Sequence, residues 1–407
     1  MEHFDYVLAG GGAAGLSLAY HMMHGGLQDK RILIVDPERK DRNDRTWCFW
    51  SDRPMLLDPV VAHRWSHFWF HGPDRSHRLK LAPYDYRMIR GIDFYRYVLA
   101  DLESRRNVSF LRERVLEIED GDLSGPARVH PESSPAVSAD YVFNSLFLAR
   151  DFRVDSSRYF FLKQHFAGWT IRTEKAVFDP GAATLFDLRV DQKGDFRFMY
   201  LLPQSPTESL VEYTLFSSRI LPPEEYQEEL RDYIRDYLEC GNYEILEQEE
   251  GIIPMTDQPF PRRAGNRIMN IGTRGGRVKA STGFAFLRTQ VDSENIVRNL
   301  LDRDNPFHDR TPPRRYATFD SMLLSVLDRQ GEGGRDVFVD LFERNPLTRL
   351  LRFLDEEGSL GENIRLMASV PWRPFIAAWF RVKWRQWRRG KVRLIDAFGN
   401  VQGEERS

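Results

Sequence analysis

Residues 10–15, Gly10-Gly11-Gly12-Ala13-Ala14-Gly15, constrain this chain more than any other stretch. They follow a short apolar run at 4–8 and open a helical pattern that reaches about residue 24. A second apolar run, 32–35, ends in Asp36. Strand, glycine turn, helix, strand and acid, in that order, make a dinucleotide-binding βαβ unit. In such a unit Gly10 makes the tight turn, Gly12 lets the backbone approach a pyrophosphate, and Gly15 lets the helix lie close on the sheet. Ala13 and Ala14 start a helix whose free N–H groups and dipole attract phosphate. Asp36, about twenty residues beyond Gly15, is spaced to bind a ribose hydroxyl.

The chain has 407 residues, enough for two domains with cores of their own. Its net charge of −2 gives no global field for nucleic acid. Aromatic residues make up 13%, with 28 Phe and 9 Trp, which fits a large core or an apolar ligand or membrane surface. Cys48 and Cys240 form no CxxC and no metal-ligand spacing, as in a reducing cytosol, so no metal is expected. The nucleotide unit starts almost at Met1, so no signal peptide is expected. No stretch nears the ~18 uninterrupted apolar residues of a membrane span, which makes the chain soluble or peripheral.

Residues 93–103 read as a helix, 108–111 and 115–118 as strands, 121–138 as a loop or irregular hairpin, and 141–148 as a buried strand. Between 164 and 216, short apolar or alternating segments separated by Pro and Gly predict a mostly antiparallel sheet. Residues 222–238 read as a helix opened by Pro222 and Pro223. A strand at 267–271 then runs into Gly272-Thr273-Arg274-Gly275-Gly276, with Ser281-Thr282-Gly283 before a long helix to about residue 301. Gly272, Gly275, Gly276, Thr282 and Gly283 are placed to cap the same cofactor from a second side; the alternative is an ordinary strand-to-helix loop. From about 315 the chain is helical, and after 391 it is polar and expected to fray.

This layout predicts an α/β, Rossmann-like FAD-binding domain with an inserted antiparallel-sheet substrate domain and C-terminal helices, as in flavoprotein hydroxylases. The expected boundaries are 1–80, 94–155 and 251–301 for the FAD-binding domain and 81–93 and 156–250 for the substrate domain. A helical cap follows at 302–390, and a tail at 391–407.

Four further motifs occur in order: Asn43-Asp44-Arg45-Thr46-Trp47-Cys48-Phe49-Trp50; Gln164-His165-Phe166-Ala167-Gly168-Trp169; Arg197–Pro203 followed by Ser209-Leu210-Val211-Glu212-Tyr213-Thr214; and Glu250-Gly251-Ile252-Ile253-Pro254-Met255. Together these resemble the bacterial lycopene β-cyclases, flavoproteins that close carotenoid rings, from residue 5 to about 380. The resemblance implies reduced FAD, NAD(P)H as its reductant, lycopene and a monocyclic carotenoid as substrates, and Glu212 as the catalytic acid. Two departures stand out. Lys279 and Ala280 replace a His-Pro pair and Phe284 replaces a Tyr, while Tyr213 takes the place of an acid or polar residue.

Ring closure at a ψ-end begins with protonation of the terminal double bond, continues through a tertiary cation and ends with proton loss, so no net redox change occurs. It needs a carboxylic acid kept neutral by burial. Glu212 shares an alternating strand face with Leu210, Thr214 and Phe216; an exposed strand face is the alternative, and the resemblance favours burial. Trp47, Phe49, Trp50, Phe166 and Trp169 are candidate partners for the cation. Asp187 and Arg189 would share a face, lining the tunnel or forming a structural ion pair, and Arg90 would approach the flavin.

Residues 372–387 place Ile376, Phe380, Trp384 and Trp387 on one helical stripe beside Trp379. Arg373, Arg381, Lys383, Arg385, Arg388 and Arg389 surround it. Such a helix suits the headgroup zone at the cytoplasmic face of a membrane or docks on the body. Oligomeric state is not legible. The competing functions are an FAD-dependent monooxygenase of a terpenoid or aromatic substrate and a non-catalytic flavin or prenyl-lipid carrier.

Overall fold

The computed structural model describes residues 1–122, 125–147, 152–308, 313–329, 331–387, 392–396 and 401–405. Leu148, Arg388 and Arg389, which carried expectations above, lie outside the described residues. The apolar run His3–Ala9 forms the centre of a parallel layer, flanked by Ile32–Val35 and then Val108–Leu111 on one side and Val137–Asn144 on the other. Ile268–Asn270 adds to Val137–Asn144 in parallel, so the late glycine turn leaves the same sheet as the first. Val115–Glu119 and Ala127–Pro131 extend the sheet as antiparallel strands, resolving the 121–138 region into a hairpin. Helices Ala13–His24 and Phe286–Arg303 pack on each other against this sheet.

The second sheet has seven strands in the order Tyr243–Thr256, Phe161–Thr173, Glu208–Ser217, Phe196–Ser205, Ala182–Asp187, His67–His71 and Ser76–Lys80. All neighbours are antiparallel except Ala182–Asp187 and His67–His71. Residues 67–80, expected in the nucleotide domain, therefore belong to the central sheet. The segment 81–93, expected in the substrate domain, contributes Asp85–Arg90 to a separate three-stranded sheet with Thr46–Ser51 and His63–Trp65. That small sheet bridges the two larger ones.

Alternation sorts the central sheet into two buried faces. Trp169, Ile171, Met199, Leu201, Val211, Tyr213 and Leu215 pack beneath helix Pro223–Tyr233. The opposite face, with Phe196, Phe198, Leu210 and Phe216, packs under the cap helices; Phe338 stacks on Phe196 with centroids 4.4 Å apart and Phe342 on Phe70 at 4.5 Å. The cap consists of Arg314–Arg329, Gly334–Arg344, Leu347–Leu354, Leu360–Ser369 and Trp372–Trp387. The tail does not simply fray: Val392–Asp396 and Val401–Glu405 form a three-stranded sheet with Arg153–Asp155.

Candidate active site

The central sheet brings two carboxylates to one point. Glu212 pairs with Gly168 on one side, and Glu249 pairs with the same Gly168 on the other. Carboxylates two strands apart stand roughly 9–10 Å apart at the backbone, so they can meet only over a residue with no side chain. A methyl group at 168 would lie 3.0 Å from Leu210 Cδ1 and 3.3 Å from Glu212 Cβ. With Gly168 there, Glu212 and Glu249 flank the same gap and line the same cavity, close enough for the charge of one to act on the other.

Glu212 is only 7% exposed. Burial, and then the Glu249 charge, push its carboxyl up to about 8, against the pull of Thr214. Burial also raises Glu249, opposed by Thr46 and Glu212. Thr214 Oγ1 donates to Glu212 Oε1 at 2.5 Å, and Thr46 Oγ1 donates to Glu249 Oε2 at 2.8 Å. Threonine hydroxyls thus hold one oxygen of each carboxyl, and burial raises both members of the pair. On the next strand Tyr200 pairs with Glu212, and its hydroxyl meets that of Tyr86 at 2.6 Å.

Glu212 opens into a cavity of about 1590 Å³ walled by Trp47, Phe166, Phe198, Leu210, Phe216 and Phe284, with Thr282 and Gly283 of the late glycine turn at its rim. It adjoins a narrow apolar pocket beneath the cap that shares Leu185, Phe186, Phe284 and Phe338 with it and is also lined by Phe375 of the last cap helix. On its other side the pair meets a polar cleft of about 980 Å³, which shares Thr46, Leu210 and Glu249 with the main cavity.

Of the aromatic candidates, Trp47 and Phe166 line the main cavity. Phe49 and Trp50 instead line a smaller void beside it, where Trp50 Nε1 donates to Asp355 at 2.6 Å. Trp169 is a correction: odd positions of its strand point to the helix-covered face, away from Glu212. Asp187 and Arg189 are a second correction. Arg189 Nε and the Tyr233 hydroxyl donate to Asp187 at 2.9 and 2.7 Å, a buried ion pair that lines none of these cavities. Arg90 binds Glu247 at 2.5 Å at the edge of the polar cleft. The residue after the acid, Tyr213, also faces away and receives a hydrogen bond from Arg197. Sequence reasoning missed Thr46, Tyr200 and Glu249. Tyr200 was signalled by the Phe196-Phe198-Tyr200-Leu202 alternation; nothing local signals Glu249.

The nucleotide cradle is built as its glycines suggest. A Cβ at Gly15 would lie 2.0 Å from Gly10 O, whereas one at Gly12 would meet nothing within 4 Å, leaving room beside the first turn for an anion. Helix Ala13–His24 has no side-chain cap and no acid in its first turn, so its N–H groups at Ala13 and Ala14 face that space. Asp36 departs from simple ribose binding: its oxygens accept from Gly11 N at 2.6 Å and Glu38 N at 2.8 Å, which fixes the loop. Gly272 packs against Ala14, where a Cβ would come within 2.6 Å, and Gly275 sits as closely on Asn270 O at 2.4 Å; Gly276 follows at φ +73°. The two glycine turns therefore meet. Thr282 Oγ1 and Gln164 Oε1 are buried with no protein hydrogen-bond partner near Gly283, at the wall of the main cavity. Orphaned polar atoms of this kind fit the polar edge of a flavin.

Lys279, which replaces the expected His-Pro pair, is buried and binds Asp320 at 2.7 Å and Glu356 at 2.8 Å, with Arg288 on Glu356 at 2.9 Å. This network ties the glycine turn to the cap.

The family model described as lycopene cyclase protein matches residues 5–379. The chain belongs to the lycopene cyclase family. It is similar to the lycopene beta-cyclase of Pantoea ananas, 24% identical over 92% of this chain and 97% of that protein. It is also similar to the lycopene beta-cyclase of Pseudescherichia vulneris, 25% identical over 92% and 96%. Among solved structures, the chain resembles a flavin-dependent brominase with a TM-score of 0.60, 13% identity and coverage of 90% and 98%. It also resembles a geranylgeranyl bacteriochlorophyll reductase-like protein of Thermoplasma acidophilum with a TM-score of 0.59, 13% identity and coverage of 93% and 98%. The fold is thus the flavoprotein-hydroxylase-like α/β arrangement expected from the sequence.

Proposed function

We propose that the protein is a lycopene β-cyclase that closes the ψ-ends of lycopene to β-rings, through a monocyclic carotenoid to the bicyclic one, without net redox change. The observation that carries this reading is a buried carboxyl, Glu212, facing a cavity walled mostly by aromatic and aliphatic side chains. The Glu212 O–H protonates the terminal double bond. The electron pair of the neighbouring ring-closing double bond attacks the tertiary cation, and loss of one proton forms the ring double bond. One proton enters and one leaves. Trp47, Phe166, Phe198, Phe216 and Phe284 surround the cation with π faces, and their apolar bulk excludes the water that would trap it.

FAD fits the cradle formed by Gly10, Gly12, Ala13, Ala14 and Gly15 with the late turn at Gly272, Gly275, Gly276, Thr282 and Gly283. In its reduced form, primed by NAD(P)H, it would supply negative charge that stabilises a nearby cation. The substrate lies in membranes, and helix Trp372–Trp387 supports a peripheral approach: Trp372, Ile376, Trp379, Phe380, Trp384 and Trp387 are exposed, while Phe375, Ala378 and Val382 bury the other face. Arg381 and Arg385 turn inward to Ser325 and the Tyr159 carbonyl, leaving Arg373 and Lys383 outside. Among the described residues no helix is long and apolar enough to cross a membrane.

Expression in bacteria that accumulate lycopene should shift the pigment from red to orange-yellow, and Glu212→Gln should leave it red with FAD still bound. Purified enzyme with reduced FAD should cyclise lycopene without oxygen. An absolute need for oxygen would favour a monooxygenase on this scaffold.

A further inference from the structure

We infer that Glu249 is a proton-relay residue that returns a proton from the polar cleft to Glu212 after each ring closure. This rests on the reading of Glu212 as the catalytic acid. Each protonation of a double bond leaves Glu212 as a buried carboxylate. That site is walled by hydrocarbon on the substrate side, and the proton lost at ring closure leaves a different carbon from the one that Glu212 protonates, so the proton for the next ring comes from elsewhere. Glu249 is the acid that faces Glu212 across Gly168, and it lines both the reaction cavity and the polar cleft.

Its burial matches the role. Glu212 is enclosed, whereas Glu249 is only half-buried and lies on the strand Tyr243–Thr256 at the edge of the sheet. The polar cleft beyond it is lined by Asn43, Arg90, Gln204, Glu208, Glu247 and Gln248, groups that hold water rather than hydrocarbon. Asn43 and Arg90 both bind Glu247 there, at 3.3 and 2.5 Å.

The step balances. Glu212 gives one proton to the substrate and becomes a carboxylate. Glu249, a carboxylate while Glu212 is protonated, then takes a proton from water in the polar cleft, passes it to Glu212 and returns to the carboxylate. The C–H proton lost at ring closure is taken by Glu250, an exposed carboxylate on the main cavity wall, and passes from it to solvent. No electrons leave or enter the protein.

The groups that set the pair's titration come from several elements. Arg45 and Thr46 precede and open the strand Thr46–Ser51, which also carries the Cys48 thiol, pushed up to about 12 by burial. Tyr200 and Tyr86 stand on the substrate side, both raised well above the ordinary tyrosine value by burial. Glu247 and Glu208 stand on the cleft side.

Glu249→Gln keeps the shape and removes the exchangeable proton and the charge. Holoenzyme carrying it should fold, hold FAD, and show a burst in which the first ring closed per enzyme outpaces later rings at least about tenfold. Its alkaline activity limb should move to lower pH, because the negative neighbour that raises Glu212 is gone. Glu249→Asp, which keeps an acid, should restore part of the steady rate. Infrared titration of the Glu212 carboxyl in substrate-free protein should show the same downward shift. A steady rate and alkaline limb both equal to wild type would overturn the relay while leaving the cyclase reading intact, as would equal slowing of first and later rings with no shift in either titration. Full cyclisation by Glu212→Gln would overturn the cyclase reading, and the relay with it.

Discussion

Glu212 is held neutral at a cost to folding. Its folded-state value of about 8 lies above the ordinary 4.5, so the native state holds a proton that the unfolded chain has released at neutral pH. Stability from this group is therefore fully present below about 4.5 and is lost as pH rises through about 8. Glu212→Gln should accordingly stabilise the protein at about pH 8–9, by roughly 1–3 kcal/mol in denaturant titrations, while abolishing ring closure. In the wild type, cyclisation should hold at lower pH and fall as pH rises through about 8, because only the protonated acid is competent. Gly168→Ala tests the crossing point itself. The added methyl would crowd Glu212 and Leu210, so activity should fall more than tenfold with a stability change of only about 1–3 kcal/mol; wild-type rates in that variant would show that the carboxyls do not need the space. At this scale alternation placed Glu212 on one face of its strand, and the resemblance, not the pattern, chose the buried face for it. Its partner was not legible, since residues 212 and 249 meet only through the register of a third strand. The same blindness placed Trp169 in the site although Phe166 and Gly168, one alternation away, face it.

Among the elements, the glycine turns were the most legible, because sterics restrict what can occupy them. The helix over 222–238 is present as Pro223–Tyr233 and then widens into a π-type turn at Ile234–Leu238. The boundaries around 67–93 were not legible: His67–His71 carries Phe68 and Phe70 inward, a pattern that marks a strand without saying which sheet it joins. The tail strands were hidden for a related reason, since their partner Arg153–Asp155 is remote in sequence. The late turn shows how a departure from a family pattern is absorbed. Burial would raise Glu356, but Lys279 and Arg288 outweigh it and hold its carboxyl below the ordinary value. Lys279→Met should leave two buried acids with one cation fewer and destabilise the fold by about 3–5 kcal/mol. Lys279→Met combined with Asp320→Leu should recover part of that loss in the same chemical-denaturation assay. No recovery would mean that the lysine acts through packing alone.

For the molecule as a whole, the last cap helix has two apolar sides. Phe375 on its buried side lines the pocket beneath the cap, while Phe380 and Trp372 are 61% and 63% exposed. Ile376→Glu together with Phe380→Glu should weaken binding to anionic vesicles severalfold, by cosedimentation, without changing the fold. Undiminished binding would show that the helix is not the contact. The stripe was visible in the sequence, but which cations remain outside was not, because Arg381 and Arg385 are claimed by a loop and a helix from elsewhere in the chain.

The strand that bears Glu249 also forms a margin of the central sheet, and Glu244, Glu247 and Glu250 stand along it with Glu249. A row of acids at an open hydrogen-bonding border repels the same border of another copy. The enzyme can therefore keep its proton entrance at an unfinished edge, wet and accessible, without inviting the strand-on-strand stacking that such an edge would otherwise nucleate.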